Sequence, residues 1–128
     1  MAAVGSKTIK YVLIVENDKG LRDGLQELLE SQGYAVTWAT NGQKALALLR
    51  SIADLPRVIL LNLMMPVMDG FQFRAAQECD PRLGPIPVIV MTADRHVEVK
   101  RIKMGVNAYM KKPLDIDEVV RKIEPYFH

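Results

Sequence analysis

The sequence predicts an α/β domain in three layers, with a five-stranded parallel sheet between helices. Two observations carry that prediction. Short runs of Val, Ile and Leu alternate with segments whose apolar residues recur at helical spacing, from Lys10 to the end, which is the pattern of repeated βαβ units. The runs at 11–15, 58–61 and 87–91 show no polar alternation, as expected of strands covered on both faces. At 128 residues the chain has the size of one domain, enough to bury a core without disulfides or a structural metal.

The elements follow in order. Strand 11–15 leads into a first helix with Leu21, Leu25, Leu28 and Leu29 on one face and Gly33 behind it. The run 35–39 is weaker and more mixed, so it is placed near an edge of the sheet, with Trp38 assigned to packing. Gly42 precedes a second helix on which Ala45, Leu48, Leu49 and Ile52 form the apolar stripe, and strand 58–61 comes next. Asp69 and Gly70 start a third helix over 71–78, strand 87–91 follows, and a fourth helix is expected over 95–104. The short run 108–110 is placed near the other edge. In the fifth helix Ile116, Val119, Val120 and Ile123 share a face, Asp115 is the N-cap, Glu118 lies three residues on, and Pro125 ends it. The folded core is expected over 10–124, with 1–8 as a flexible N-terminal extension.

Composition narrows the function classes. The 17 basic and 15 acidic residues leave a net charge of +2, too balanced to point to nucleic acid. The apolar runs are strand-length, far short of a membrane span, and the first eight residues lack the apolar core of an export signal. A cytoplasmic location is expected. Cys79 has no second cysteine to pair with and is assigned to packing. His96 and His128 have no metal-ligand spacing, and Met64, Met65 and Met68 read as turn and core packing, not as a copper site.

In an open parallel sheet, ligands bind beyond the carboxyl ends of the strands, near the point where the winding reverses. Those ends carry Glu16, Asn17 and Asp18 after the first strand, Asn62 after the third, Thr92 after the fourth, and Lys112 with Pro113 after the fifth. The words around them are VLIVEND at 12–18, LLNLMMPVMDG at 60–70 and PVIVMTA at 87–93, with the group Tyr109, Lys112 and Pro113. On these words the chain resembles the receiver domains of bacterial response regulators (the CheY-like domains of two-component phosphorelays) from Lys10 to Ile123. The resemblance implies a flavodoxin-like sheet of strand order 2-1-3-4-5 and a regulatory domain, not an enzyme.

It also implies a role for each matched residue. In the family an acidic pair after the first strand and an aspartate after the third hold magnesium, and that aspartate accepts the phosphoryl group. Here Glu16 matches the first acid, Asn17 the second and Asn62 the phosphoacceptor. Thr92 matches the switch hydroxyl, Tyr109 the aromatic that swings inward, Lys112 the pairing cation, and Pro113 the proline after a cis peptide bond. A carboxylate attacks phosphorus and a carboxamide does not at useful rates, so Asn62 is not expected to be phosphorylated. Magnesium wants anionic oxygen ligands, so no cofactor is expected. The degenerate magnesium set of Glu16, Asn17, Asn62 and the Met64 backbone carbonyl would serve only if Glu16 and Asp18 compensated. The resemblance points to a pseudo-receiver that works as a protein-interaction module. Its partner would be a histidine kinase, a downstream effector or a second copy of the chain. Docking would use the fourth helix, fifth strand and fifth helix, where Arg95, His96, Lys100, Arg101, Lys103, Lys111, Lys112, Arg121 and Lys122 concentrate positive charge. One alternative is an ordinary phospho-accepting receiver in which Asn17 and Asn62 replace native aspartates by engineering. Another is a flavin carrier or small enzyme on the same fold, against which the charged loop Glu16, Asn17, Asp18 and Lys19 argues.

Overall fold

The computed structural model describes residues 10–93 and 104–128. Five strands, β1 (Tyr11–Val15), β2 (Ala35–Ala39), β3 (Val58–Asn62), β4 (Val88–Thr92) and β5 (Ala108–Lys111), form one parallel sheet in the order β2-β1-β3-β4-β5. The uninterrupted apolar runs are the three central strands, each buried at every position, and the two mixed runs are its edges. Among the described residues there are four α-helices: α1 (Lys19–Ser31), α2 (Gly42–Ser51), α3 (Gly70–Glu78) and α4 (Ile116–Ile123), the last being the fifth helix of the sequence prediction. The predicted fourth helix over 95–104 lies, but for Met104, outside the described residues, as do its basic side chains and the N-terminal extension. A 3-10 turn, Glu124–Phe127, with Pro125 in its first positions, continues the chain beyond α4. Among the described residues no helix is long and apolar enough to cross a membrane.

The sheet separates two apolar clusters. One packs Leu13, Val15, Ile59, Leu61 and Val90 against Ala45, Leu49 and Phe73; the other packs Val12, Ile14, Leu60, Ile89 and Met91 against Leu25, Leu29, Val119 and Ile123. Burial of each Val, Leu, Ile, Met or Phe side chain is worth about 1.5–3 kcal/mol, so the central strands fix where their carboxyl ends stand. The helix starts behave as their sequences predict. Asp69 closes a capping box with Gln72 at the start of α3, and Asp115 accepts from the Asp117 N–H at the start of α4.

Four packing assignments need correction. Cys79 is exposed, because it stands at the C-cap of α3 where the chain leaves the core. Trp38 is 43% exposed on the edge strand and serves as a platform for the Arg22 guanidinium, 4.4 Å from the ring centroid. Met64 is 72% exposed, since it turns outward immediately after β3 while Met65 turns into the core. Leu28 is 47% exposed at the rim of the α1 stripe, where the apolar face outruns its cover.

Candidate functional site

Parallel pairing brings four chain segments to one end of the sheet. The pairs Val15 with Leu61, Asn62 with Met91, and Thr92 with Lys111 align the last residues of β1, β3, β4 and β5. Glu16 extends β1 by one bond, its N–H donating to the Ala39 carbonyl at 3.1 Å. Asp18 accepts from the Leu21 N–H at 3.1 Å, so its carboxylate caps α1. After β3 the chain turns sharply, and the Gly70 N–H donates to the Leu63 carbonyl at 2.8 Å. A Cβ on Gly70 would lie 2.8 Å from the Asn62 carbonyl oxygen and 2.9 Å from the Leu63 Cα, so only glycine lets α3 start this close to the strand end. The Lys112 N–H donates to the Thr92 carbonyl at 2.8 Å, and the Lys112–Pro113 bond is cis. Together Glu16, Asn17, Asp18, Asn62, Met64, Thr92, Ala93 and Lys112 line an open pocket of about 260 Å³.

The polar groups of this pocket satisfy one another. The Glu16 side chain, 1% exposed, accepts from Lys112 Nζ at 2.9 Å through Oε1. Its Oε2 accepts from Asn62 Nδ2 at 2.9 Å and from the Asp18 N–H at 3.2 Å. Asn62 Nδ2 donates as well to Asn17 Oδ1 and to the Met64 carbonyl, each at 3.0 Å, and Asn62 Oδ1 accepts from Lys112 Nζ at 3.1 Å. The orientation of the Asn62 amide is dictated: an ammonium only donates, so the atom facing Lys112 is the carbonyl oxygen, and the nitrogen turns to the three acceptors. The charges of Glu16 and Lys112 cancel.

The structure thus gathers Glu16, Asn17, Asp18, Asn62, Thr92 and Lys112 around one pocket. Tyr109 is half-buried on β5, packs against the larger apolar cluster and carries Lys122 Nζ 5.9 Å from its ring centroid. It is not among the lining residues. Arg22 is the positioning residue that sequence reasoning missed. Only 6% exposed, it donates from Nη1 to the Glu16 carbonyl at 3.0 Å while Trp38 covers its face. The available signal was an arginine between Leu21 and the buried Leu25 on the apolar side of α1.

The magnesium set implied by the resemblance does not fit what is here. Glu16 is its only carboxylate with no helix to cap, and Lys112 and Asn62 already occupy both of its oxygens. Asn17 and Asn62 are neutral, and Asp18 is turned to the α1 N-terminus. A hard divalent cation needs anionic oxygens free to face it.

The comparisons with known proteins agree on the family. The response regulator receiver domain model matches residues 12–124. The chain belongs to the response regulator receiver domain family. An uncharacterized 14.6 kDa protein from Leptolyngbya boryana is 34% identical over 117 residues, covering 90% of this receiver and 88% of that protein. The DNA-binding dual master transcriptional regulator RpaA of Synechocystis sp. is 32% identical over 114 residues, covering 88% of this receiver and 46% of its own length, so this chain spans about half of that relative. Among solved structures, the signal receiver domain of a histidine kinase from Syntrophus aciditrophicus superposes with a TM-score of 0.82 at 27% identity, covering 91% of this receiver and 89% of that chain. Vibrio cholerae chemotaxis protein CheY4 gives 0.82 at 25% identity, covering 93% and 99%. The strand order found here, β2-β1-β3-β4-β5, is the receiver's flavodoxin-like topology.

Proposed function

We propose that this receiver acts as a phosphorylation-independent protein-interaction module of a two-component pathway, not as an enzyme and not as a phosphoryl acceptor. The hydrogen bonding of Asn62 carries this reading. Its nitrogen is spent on Glu16, Asn17 and Met64 and its oxygen on Lys112, and a carboxamide has no nucleophilic oxygen anion to form an acyl phosphate. Thr92 and Lys112 line the pocket, and with no phosphoryl group on Asn62 the switch is set by partner binding, which shifts populations only through differential affinity for its two states. The partner is a histidine kinase, a downstream effector or a second copy of the chain in the cytoplasm. It docks on β5 and α4 and on the basic segment 95–104. Lys111 and Arg121 are exposed on the described part of that face.

The test is direct. After incubation with MgCl2 and acetyl phosphate, the intact mass of the wild-type chain stays unchanged. The double variant Asn17→Asp with Asn62→Asp gains one phosphoryl group and shows that the reagent works. A phosphoryl mass gain on the wild type overturns the reading.

A further inference from the structure

The two edges of the sheet are guarded differently. β5 is four residues long, ends on the exposed Lys111 and is followed by Lys112 and Pro113. Shortness, lysine and proline are devices that keep an edge strand from pairing with another chain. β2 has no such guard. In a chain that is 25% charged, residues 31–43 include no charged residue and no proline. Ala35 and Trp38 are exposed on this strand, and Val36 and Thr37 are half-buried. An open hollow of about 400 Å³ runs along Ala35, Val36 and Thr37, so the start of the strand can be reached from outside. Among the described residues β2 has a strand on one side only, β1. The Ala39 carbonyl accepts from the Glu16 N–H at 3.1 Å, which fixes the alternation: Ala35, Thr37 and Ala39 turn their backbone groups to β1, and Val36 and Trp38 turn theirs to the open edge.

We propose that β2 is a self-association edge, on which two copies of the chain pair their β2 strands antiparallel about a two-fold axis at Thr37, joining their sheets into one. In that register Val36 stands opposite Trp38 of the other copy, and the two exchange both of their backbone hydrogen bonds. Symmetry repeats the exchange, so each outward N–H and C=O of Val36 and Trp38 finds a partner. The side chains suit the same register. Val36 meets Trp38 on one face and Thr37 meets Thr37 on the other, and aromatic with β-branched and Thr with Thr are favourable cross-strand pairs. Charge selects the occupant as well. Copies with a net charge of +2 repel one another, and β2 lets them meet on a neutral strip, whereas pairing through β5 would bring Lys111 of both copies together. A contact made by one strand of five residues falls below about 1,200 Å², the range of weak and transient complexes, so dissociation is expected between about 10 µM and about 1 mM. The pairing needs nothing from Asn62 and holds whether or not a phosphodonor reacts with the chain.

Sedimentation velocity on the full chain, from about 10 µM to about 1 mM at low salt, shows the wild type passing from monomer to dimer. Thr37→Lys and Thr37→Glu each set like charges opposite one another at the two-fold axis and weaken self-association. An equimolar mixture of the two sets opposite charges there and associates roughly tenfold or more tightly than either variant alone, the difference between attraction and repulsion of unit charges about 4 Å apart at a wet surface. Wild type that stays monomeric throughout overturns the proposal and leaves the edge to a strand from another protein. Variants that dimerise as the wild type does place the interface elsewhere, and a mixture no tighter than its components removes the two-fold axis from Thr37; either result overturns the proposal. Should a variant fail to fold, amide hydrogen exchange in the wild type decides. The Val36 and Trp38 N–H groups exchange more slowly as concentration rises, while the Thr37 N–H, directed at β1, is slow throughout. Exchange at Val36 and Trp38 that does not depend on concentration overturns the proposal.

Discussion

Replacing Lys112 with Met removes the one cation lining the pocket among the described residues and leaves Glu16, 1% exposed, without its partner. Breaking a fully buried pair costs about 3–5 kcal/mol. Two features of this site lower the figure. The Lys112 side chain is 25% exposed, so water already screens the pair, and Glu16 keeps the N–H donors of Asn62 and Asp18. The expected loss is about 2–3 kcal/mol, or a urea midpoint lower by roughly 1–2 M. Adding Glu16→Gln to Lys112→Met removes the stranded charge, so the double variant is no less stable than Lys112→Met alone. High salt weakens the coupling less than it would an exposed pair, because a partly buried pair is screened less by ions. Urea unfolding of the four proteins at neutral pH measures the cycle. Single costs that sum to the double cost within about 0.5 kcal/mol would refute the coupling and the electrostatic account of the pocket with it.

Two further outcomes follow from particular residues. Val67 is β-branched and exposed yet holds φ at 69° in the turn after β3. Because left-handed backbone costs such a residue roughly 1–2 kcal/mol and asparagine less, Val67→Asn is expected to raise stability by about 0.5–1 kcal/mol in urea unfolding; a loss would show that the Val67 side chain makes compensating contacts. The Tyr11 hydroxyl donates to the Asp54 carbonyl at 2.6 Å, and burial first, then the Asp54 carboxylate, raises its pKa from 10.0. The neutral phenol is thus favoured in the fold, and its contribution is complete below pH 10 and lost as pH rises through the folded-state value. Tyr11→Phe should cost about 1 kcal/mol at neutral pH and lose less than the wild type above pH 10, where Tyr34, also raised by burial, still titrates. Parallel stability curves for the two proteins in alkali would show that Tyr11 does not titrate with unfolding.

The architecture was legible because parallel strands buried on both faces cannot disguise themselves. Tyr11–Val15 and Ala35–Ala39 match the runs read from the sequence, while β3 and β4 each end one residue later, at Asn62 and Thr92. Those two polar residues still pair in the sheet, which an apolar-run criterion excludes by construction. The pocket members were legible for a related reason: a strand end is a place as well as a composition, and Glu16, Asn62, Thr92 and Lys112 are all strand-end residues. Arg22 was not legible, because an arginine on an apolar helix stripe reads as a flaw in the pattern until Trp38 and the Glu16 carbonyl are seen to receive it. Cys79 misled for the converse reason, since a residue type usually buried stands here at a helix end.

The two amides are not equivalent, although in sequence they look like one substitution made twice. Asn62 is 5% exposed and engages both atoms of its amide, whereas Asn17 is exposed and offers a single oxygen to the cluster. A charge at position 17 would be shared with solvent and cost little; a charge at position 62 would be held beside the buried Glu16 carboxylate and require either a proton or a cation. The electrostatic character of the pocket is therefore decided at Asn62. With its nitrogen serving the oxygen cluster and its oxygen serving Lys112, Asn62 ties the ends of β1 and β3 and the residue after β5 into one hydrogen-bonded set.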